Sequence, residues 1–127
     1  MREIIFRGKR TGNDEWVYGD FMHGNERKSL RDSIWVYDSE TQSFNDYEVT
    51  PETVGQYTGM KDNNGKPIFE GDILKLGTGK TRFVFYGVSS FRHTIYNGYA
   101  KGFDFKDKGY QVIGNIHDNP ELLGENG

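Results

Sequence analysis

Hydrophobic and polar residues alternate along this chain in short stretches that are separated by turn residues. The alternation is clear in Thr81–Val88, where Phe83 and Phe85 fall on one face. Successive side chains of a strand point to opposite faces of its sheet, so this pattern predicts strands. Further strands are predicted for Arg2–Gly8, Trp16–Met22, Ile34–Tyr37, Phe44–Val49, Val54–Thr58, Ile68–Leu76, Phe91–Tyr96, Tyr99–Phe105 and Tyr110–Ile116. No long stretch keeps a helical period, and we expect an all-β protein built from antiparallel hairpins.

The clearest predicted turn lies within Lys61–Lys66. Its Asn64-Gly65 pair is a dipeptide that supplies the positive φ angles of tight hairpins. Gly77–Lys80 is a second predicted hairpin turn, because it lacks the glycine spacing and the following helix of a phosphate-binding loop. The chain is therefore expected to reverse direction at both places.

Two other segments are predicted to have structural roles. Thr50–Thr53 is expected to form a single helical turn, with Thr50 as its cap. Asn115 and Asn119 are interpreted as turn residues rather than ligand contacts, because Asn-Pro commonly begins a turn. Leu122-Leu123 is expected to close the end of a barrel as a hydrophobic plug.

The step Glu70-Gly71-Asp72 has two interpretations. Gly71 can take a backbone angle that other residues resist, and Asp72 can accept amide hydrogens, which favours a sharp structural turn. Alternatively, Glu70 and Asp72 form a carboxylate pair for acid–base chemistry or a divalent metal, because alternate strand residues share a face. No third ligand has a suitable spacing. We favour the turn and expect neither a metal nor another cofactor.

Composition adds to this picture. The 2 Trp, 8 Tyr and 9 Phe residues predict a core built largely from aromatic rings, which suit the surface of a sheet. The absence of Cys excludes disulfides and thiol nucleophiles. His23, His93 and His117 are too scattered for a zinc site and are expected at the surface or in hydrogen bonds. The N-terminal apolar cluster is interrupted by charges and no run reaches membrane-spanning length, so we expect a cytoplasmic protein.

Three segments resemble the YopX family of phage and prophage proteins. They are the block Thr53–Ile73 (TVGQYTGMKDNNGKPIFEGDI), the opening Arg2–Arg7 (REIIFR) and the closing Val112–Leu123 (VIGNIHDNPELL). The resemblance implies an N-terminal β-rich portion, residues 1–60, and a C-terminal portion, residues 61–127, that is similar to a partly open SH3-type barrel and packs with the first as one compact unit. It implies the cytoplasm of a bacterial host and no established biochemical activity.

Positive charge is concentrated in Lys75–Lys108. Seven basic residues against two acidic ones give this segment a net charge of +5, although the whole chain has a net charge of -3. Phe and Tyr residues lie between the cations, a combination typical of a groove for single-stranded nucleic acid. The predicted contacts are Lys80, Arg82, Arg92 and Lys101. The alternative is that the rings alternate inward as core while the cations form an ordinary solvated face.

We therefore expect a noncatalytic binding module for nucleic acid or for a host or phage protein. The alternative is an assembly role, in which an exposed edge such as Trp16–Met22 or Ile34–Tyr37 pairs with another chain, including a second copy. The third hypothesis is a metal-dependent enzyme that uses Glu70 and Asp72, which has no accompanying nucleophile or complete metal shell.

Overall fold

The computed structural model describes residues 5–28, 30–87, 90–94, 100–101 and 108–124. Regular structure in these ranges is almost entirely strand, which confirms the expected all-β class. The strands are β1 (Phe6–Lys9), β2 (Trp16–Met22), β3 (Ser33–Asp38), β4 (Ser43–Glu48), β5 (Gly55–Lys61), β6 (Pro67–Phe69), β7 (Asp72–Leu76), β8 (Thr81–Gly87), β9 (Ser90–Thr94), β10 (Ala100–Lys101) and β11 (Tyr110–Asn115), followed by a one-turn helix α1 (Glu121–Gly124).

The chain divides into two compact units, Met1–Tyr57 and Thr58–Gly127. The sequence predicts a boundary between residues 60 and 61, and the structure has it between residues 57 and 58. Both boundaries fall within β5. Within the described ranges, no helix has the length and apolar character needed to cross a bilayer.

The first unit is an antiparallel sheet with the strand order β4-β3-β2-β1-β5. Successive hairpins join β1 to β4, and β1 also pairs with the beginning of β5. One face of this sheet is packed: Ile34 and Val49 are almost completely buried, and the rings of Phe6 and Phe21 lie 5.6 Å apart. Full burial of an aliphatic or aromatic side chain contributes about 1.5–3 kcal/mol, so this face supplies the apolar stabilisation of the unit.

The strands that were expected to be edges are interior. β2 pairs with β1 over Trp16–Gly19 and with β3 over Asp20–Met22, and β3 pairs with β4 on its other side. The expectation of an exposed edge at Trp16–Met22 or Ile34–Tyr37 is therefore wrong. Strand order depends on pairing between distant segments, which the local sequence pattern does not report. Among the described strands of this unit, β4 lies at the edge of the sheet and has nearly all of its residues exposed.

The second unit contains a five-stranded antiparallel sheet with the order β10-β9-β8-β7-β11, while β6 pairs with the end of β5. The strands described for this unit do not close into a barrel. Among the described residues, one buried cluster of this unit combines four aliphatic side chains with one aromatic ring: Ile68, Leu74, Leu76, Val84 and Tyr110. Within residues 58–85 and 108–123, whose burial the structure describes, the core is therefore less aromatic than the composition predicts.

The faces of β8 differ from the expected arrangement of buried rings and solvated cations. Val84 is buried in the core, and Arg82 on the same face is also buried. Phe83 and Phe85 lie on the opposite face, half-buried, with their ring centroids 6.2 Å apart. Periodicity correctly indicates that the two rings share a face, but it does not identify which face meets the core.

The turn between β5 and β6 contains Gly65 with a φ of +81°. The Gly65 N–H donates to the Asp62 carbonyl at 3.0 Å, and the Asp62 N–H donates to the Lys66 carbonyl at 2.8 Å. This is a type I turn followed by a glycine bulge, which needs a left-handed conformation at one residue only. The expectation of positive φ at both residues of the pair is wrong for Asn64, whose φ is not positive.

The side chain of Asp62 connects this turn to β11. Its Oδ1 accepts hydrogen bonds from the N–H groups of Asn64 and Lys66, both at 2.9 Å. Its Oδ2 accepts from the N–H of Val112 at 2.9 Å, across a separation of 50 residues. The buried carboxylate thus fixes a local turn and a distant strand at once.

A second turn separates β6 from β7. Gly71 has a φ of +93°, and its N–H donates to the Val84 carbonyl at 2.8 Å. The Oδ2 of Asp72 accepts from the N–H of Phe69 at 2.7 Å. These contacts use both the backbone freedom of Gly71 and the carboxylate of Asp72 to reverse the chain.

Pro51–Thr53 forms a single 3-10 turn. Thr50 occupies the expected N-cap position, but its side chain makes no capping hydrogen bond. Instead, the Thr53 hydroxyl donates to the Thr50 carbonyl at 2.6 Å and accepts from the N–H of Lys9 at 2.9 Å. The hydroxyl of Thr53, the last residue of the turn, therefore stabilises the turn and also connects it to β1.

The end of β11 leads into a turn held by two asparagines. The Asn115 Oδ1 accepts from the N–H groups of His117 and Asp118, and the Asn119 Oδ1 accepts from the N–H of Asn115 at 3.3 Å. Leu122 belongs to α1, which contacts β8. A helix of one turn is too short to give a periodic pattern of apolar residues, so α1 was not predicted from the sequence.

Candidate functional site

The predicted nucleic-acid contacts lie on or beside three neighbouring strands of the second unit. Lys80 precedes β8 and is exposed. Arg82 lies in β8 with a side-chain exposure of 6%, and its Nη1 donates to the Thr81 carbonyl at 2.9 Å. Arg92 pairs with Phe85 in the backbone register of β9, and Lys101 lies in β10. Arg82 is thus enclosed by protein, whereas Lys80 meets solvent.

The alternative catalytic pair has a geometry suited to structure. Asp72 is only 1% exposed and its carboxylate accepts the Phe69 amide hydrogen, so it does not meet a substrate in solution. Glu70 is half-buried. No group of three or more His, Asp or Glu residues in the described ranges has the arrangement of a metal site. His23 is exposed, with its Nδ1 3.3 Å from the Asp32 carboxylate.

A second candidate site lies on the first unit, on the face of its sheet opposite the packed face. Residues that are opposite each other in neighbouring antiparallel strands point to the same face. The register places Asp20, Trp35 and Asp46 in one row across β2, β3 and β4, with Met22 and Glu48 in the next row. Tyr37 and Phe44 form a third row. We call these seven side chains the open face: Asp20, Met22, Trp35, Tyr37, Phe44, Asp46 and Glu48.

The open face carries three neighbouring aromatic rings, of which Tyr37 and Phe44 are exposed and Trp35 is half-buried. Tyr37 is 55% exposed and Phe44 is 51% exposed, and their ring centroids lie 5.3 Å apart in an edge-to-face arrangement. The Phe44 ring lies 6.4 Å from that of Trp35, whose indole N–H donates to the Ser33 hydroxyl at 3.0 Å. This hydrogen bond fixes the orientation of the indole, so the rings form a pre-ordered apolar surface.

Two shallow cavities lie along the open face. One has a volume of about 320 Å³ and is lined by Asp20, Phe21, Met22, Trp35 and Phe44. The other has a volume of about 270 Å³ and is lined by Met22, His23, Leu30, Arg31, Ser33, Trp35, Asp46 and Glu48. Met22 and Trp35 line both cavities, so the cavities adjoin at these two side chains.

Carboxylates surround the rings. Asp20 and Asp46 are exposed and occupy the strand positions on either side of Trp35, and Glu48 is exposed in the next row. Cβ atoms of directly opposed residues are about 4.5–5.5 Å apart, which places both carboxylates beside the indole. No ion pair to any of the three occurs within the described part of the chain. The open face therefore combines exposed apolar rings with unneutralised negative charge.

Sequence reasoning missed this face, although a signal was present. Ile34-Trp35-Val36-Tyr37 is apolar at every position, so both faces of β3 carry large apolar side chains. On one face Ile34 is buried, whereas on the other face Tyr37 is exposed and Trp35 is half-buried. A strand that is apolar on both faces but is covered on only one has an apolar surface available for binding.

Comparisons with known proteins agree with the family resemblance. The family model described as "YopX protein" matches residues 5–124, which confirms the resemblance. The crystal structure of protein EF1440 from Enterococcus faecalis is similar to this chain, with a TM-score of 0.57 and 25% sequence identity, over 97% of this chain and 99% of that chain. No curated protein matches.

Proposed function

The chain belongs to the YopX family, and we propose that it is a noncatalytic binding module that docks a segment of a partner protein on its open face. The observation that carries this proposal is the group of neighbouring rings, with Phe44 and Tyr37 exposed beside the half-buried Trp35, on a sheet face with two adjoining cavities. Exposed apolar patches with a polar rim mark interaction sites in soluble proteins.

The residue types support a protein partner. Aromatic residues and Met are enriched at protein interfaces, and the side chains that dominate binding energy are commonly Trp, Tyr and Arg. Met22 is 52% exposed beside the rings, and its flexible side chain can adapt to different contacts. The edge strand β4 adjoins the same face, so an extended partner segment could also use its backbone groups.

The test is a selection of binding peptides from a random displayed library on the full-length protein. We expect the recovered peptides to bind wild type and to lose binding to Tyr37→Ser/Phe44→Ser. The matched control is Met60→Ser, which also removes an exposed apolar side chain but lies outside the open face. Peptides that bind the double variant as well as wild type would contradict the proposal.

A second candidate function is binding of single-stranded nucleic acid through the basic segment. It is favoured by the position of Phe83 and Phe85, which lie outside the core on a strand of the same sheet as the predicted cations. Half-exposed rings beside cations allow bases to stack while the backbone phosphates are neutralised. Lys80, Arg92 and Lys101 remain its predicted contacts, whereas the burial of Arg82 argues against a direct contact from that side chain.

Fluorescence anisotropy with labelled single- and double-stranded oligonucleotides tests this second function. Binding should fall steeply with salt and be lost in Lys80→Glu/Arg92→Glu/Lys101→Glu. Arg82 is left unchanged, because charge reversal of a buried residue would also unfold the protein. Arg27→Glu/Lys28→Glu/Lys61→Glu is the charge-matched control. Salt-insensitive binding, or equal loss in the control, would contradict it.

Further proposals concern architecture and context. The resemblance supports an SH3-like, partly open barrel for the second unit and a phage or prophage origin, with the protein acting in the cytoplasm of its bacterial host. An assembly role is the remaining alternative, and the edge strand β4 is the segment that would support it.

A further inference from the structure

We propose that the partner segment is basic, and that one of its Arg or Lys side chains lies over Trp35 between Asp20 and Asp46. This inference rests on the proposed function of the open face and specifies the chemistry of its ligand. The occupant is an extended segment of another protein, recognised by stacking of its cation on the indole and by pairing with the two carboxylates.

Charge complementarity is the first argument. Asp20 and Asp46 lie on opposite sides of one indole, at directly opposed strand positions, and have no described cationic partner. A guanidinium or ammonium group above the ring would approach both carboxylates at once. Hydrogen bonds to charged groups are stronger than neutral ones, and Arg can pair with a carboxylate in a bidentate manner.

Two other rings of the first unit, Trp16 and Tyr47, supply the second argument. Arg7 lies over the Trp16 ring, with its Cζ 4.7 Å from the ring centroid, and Arg10 lies over Tyr47 at 4.5 Å. Trp35 has no such cation among the described residues, although it has two carboxylates beside it and Trp is the strongest aromatic partner for a cation. The position over Trp35 is therefore suited to a cation from outside the unit.

The shape of the site favours a segment of chain over a small cation. The two cavities share Met22 and Trp35 as lining residues, so there is room next to the indole for residues that flank the cation. Phe44 and Met22 provide apolar contacts for those neighbours. Arg31 also lines the second cavity, and its positive charge disfavours a cation placed next to it.

The experiment uses the peptides recovered from the library in the selection described above. Recovered sequences should be enriched in Arg or Lys at one fixed position. Replacing that residue by citrulline, which keeps the shape of Arg without its charge, should weaken binding by about tenfold or more. Asp20→Asn/Asp46→Asn should weaken binding to a similar extent, and the citrulline peptide should be insensitive to this variant.

The control variant is Glu52→Gln/Glu121→Gln, which removes the same charge from two exposed carboxylates outside the open face and should bind normally. If both variants lost affinity for the peptide equally, the cause would be the net charge of the protein and not the two carboxylates beside Trp35, and the proposal would be overturned. Peptides that depend on Phe44 but contain no cation, or that bind Asp20→Asn/Asp46→Asn normally, would overturn it while leaving the proposed function intact.

Self-association is the remaining outcome. The molar mass of wild type in solution is measured as a function of protein concentration. If the mass increases, and if Asp20→Asn/Asp46→Asn abolishes the increase, the occupant is a second copy of the chain. The proposal of a partner protein is then wrong. If no recovered peptide depends on Phe44 and Tyr37, the proposed function and this inference fail together.

Discussion

The buried carboxylate of Asp62 is expected to stabilise the folded state more than the exposed residues around it do. Its carboxylate accepts three backbone hydrogen bonds, from Asn64, Lys66 and Val112. Hydrogen bonds to a charged acceptor contribute more than neutral ones, and removing the acceptor leaves three donors without a partner. Because one of these donors lies 50 residues away, loss of the carboxylate weakens both the turn and the attachment of β11.

Asp62→Ala should lower the free energy of unfolding by about 2–3 kcal/mol. Urea denaturation followed by circular dichroism measures the change. Asp38→Ala is the matched control, because the Asp38 carboxylate accepts one backbone hydrogen bond, from Glu40, in an exposed turn. An equal loss in the two variants would contradict the role assigned to Asp62.

The stability contributed by Asp62 should depend on pH. Burial raises the pKa of Asp62, but hydrogen bonds from Val112, Lys66 and Asn64 and the charge of Lys66 lower it, and the net pKa lies below the ordinary value of 3.8. A carboxyl group with a lowered folded-state pKa stabilises the protein above its unfolded pKa, and this contribution is lost as pH falls through the folded value.

The difference in unfolding free energy between wild type and Asp62→Asn should therefore be constant above about pH 5 and shrink below pH 3.8. Urea denaturation across this range gives the difference at each pH. A difference that grows on acidification would show the opposite sign of linkage and contradict the assignment.

Turns and strands show how local sequence constrains single elements. Gly65 lies at the bulge of its hairpin with a φ of +81°, and a Cβ placed there would have nothing within 4 Å. A substitution by Ala at this position therefore tests backbone strain without a steric clash. The left-handed conformation costs a residue other than glycine roughly 1–2 kcal/mol.

Gly65→Ala should destabilise the protein by about 1 kcal/mol, measured as the shift in urea midpoint at constant slope. Gly12→Ala is the control, because its Cβ would also meet open space but its φ is not in the left-handed region. Unchanged stability of Gly65→Ala would show that this turn relaxes to another conformation.

The two faces of β3 should respond differently to truncation. Ile34 is 0% exposed, so Ile34→Ala should cost about 2–5 kcal/mol through lost burial and a residual cavity. Tyr37 lies on the open face, and Tyr37→Ser should cost about 1 kcal/mol or less, the value of a cross-strand pair. Chemical denaturation of both variants tests this, and a large loss in Tyr37→Ser would mean that the open face is part of the core.

Element identity was more predictable than element placement. Alternation along β2 and β8 reports local geometry, which is why the strands and the hairpin at Asn64-Gly65 could be expected from the sequence. The insertion of β1 between β2 and β5 depends on long-range pairing, and the burial of Val84 instead of Phe83 depends on what covers the sheet. The open face requires both kinds of information, so the sequence pattern did not locate it.

Charge is distributed unevenly over the whole molecule. Residues 1–57 carry seven basic and eleven acidic side chains, a net charge of -4, and residues 58–127 carry nine basic and eight acidic ones, a net charge of +1. Part of the negative charge lies on the edge strand β4 through Asp46 and Glu48. Charged side chains on an edge strand discourage pairing with other chains, so these residues limit association of the whole protein.

Asp46→Thr/Glu48→Thr should self-associate at a lower concentration than wild type, because the substitutions remove the charges and raise the strand propensity of an unpaired edge. Sedimentation velocity over a concentration series measures this. Glu52→Thr/Glu121→Thr changes the net charge equally at sites away from β4 and should behave like wild type. Equal association of the two variants would attribute the effect to net charge alone.

The link between Asp62 and β11 has a consequence for synthesis on the ribosome. The sheet of the first unit has all its strands once residue 61 has emerged, so it can form while translation continues. The core of the second unit requires Tyr110, and its hairpin requires the amide of Val112. Ile68, Leu74 and Val84 therefore emerge well before the strand that completes their packing, and the nascent chain is most exposed to proteases and chaperones in this interval.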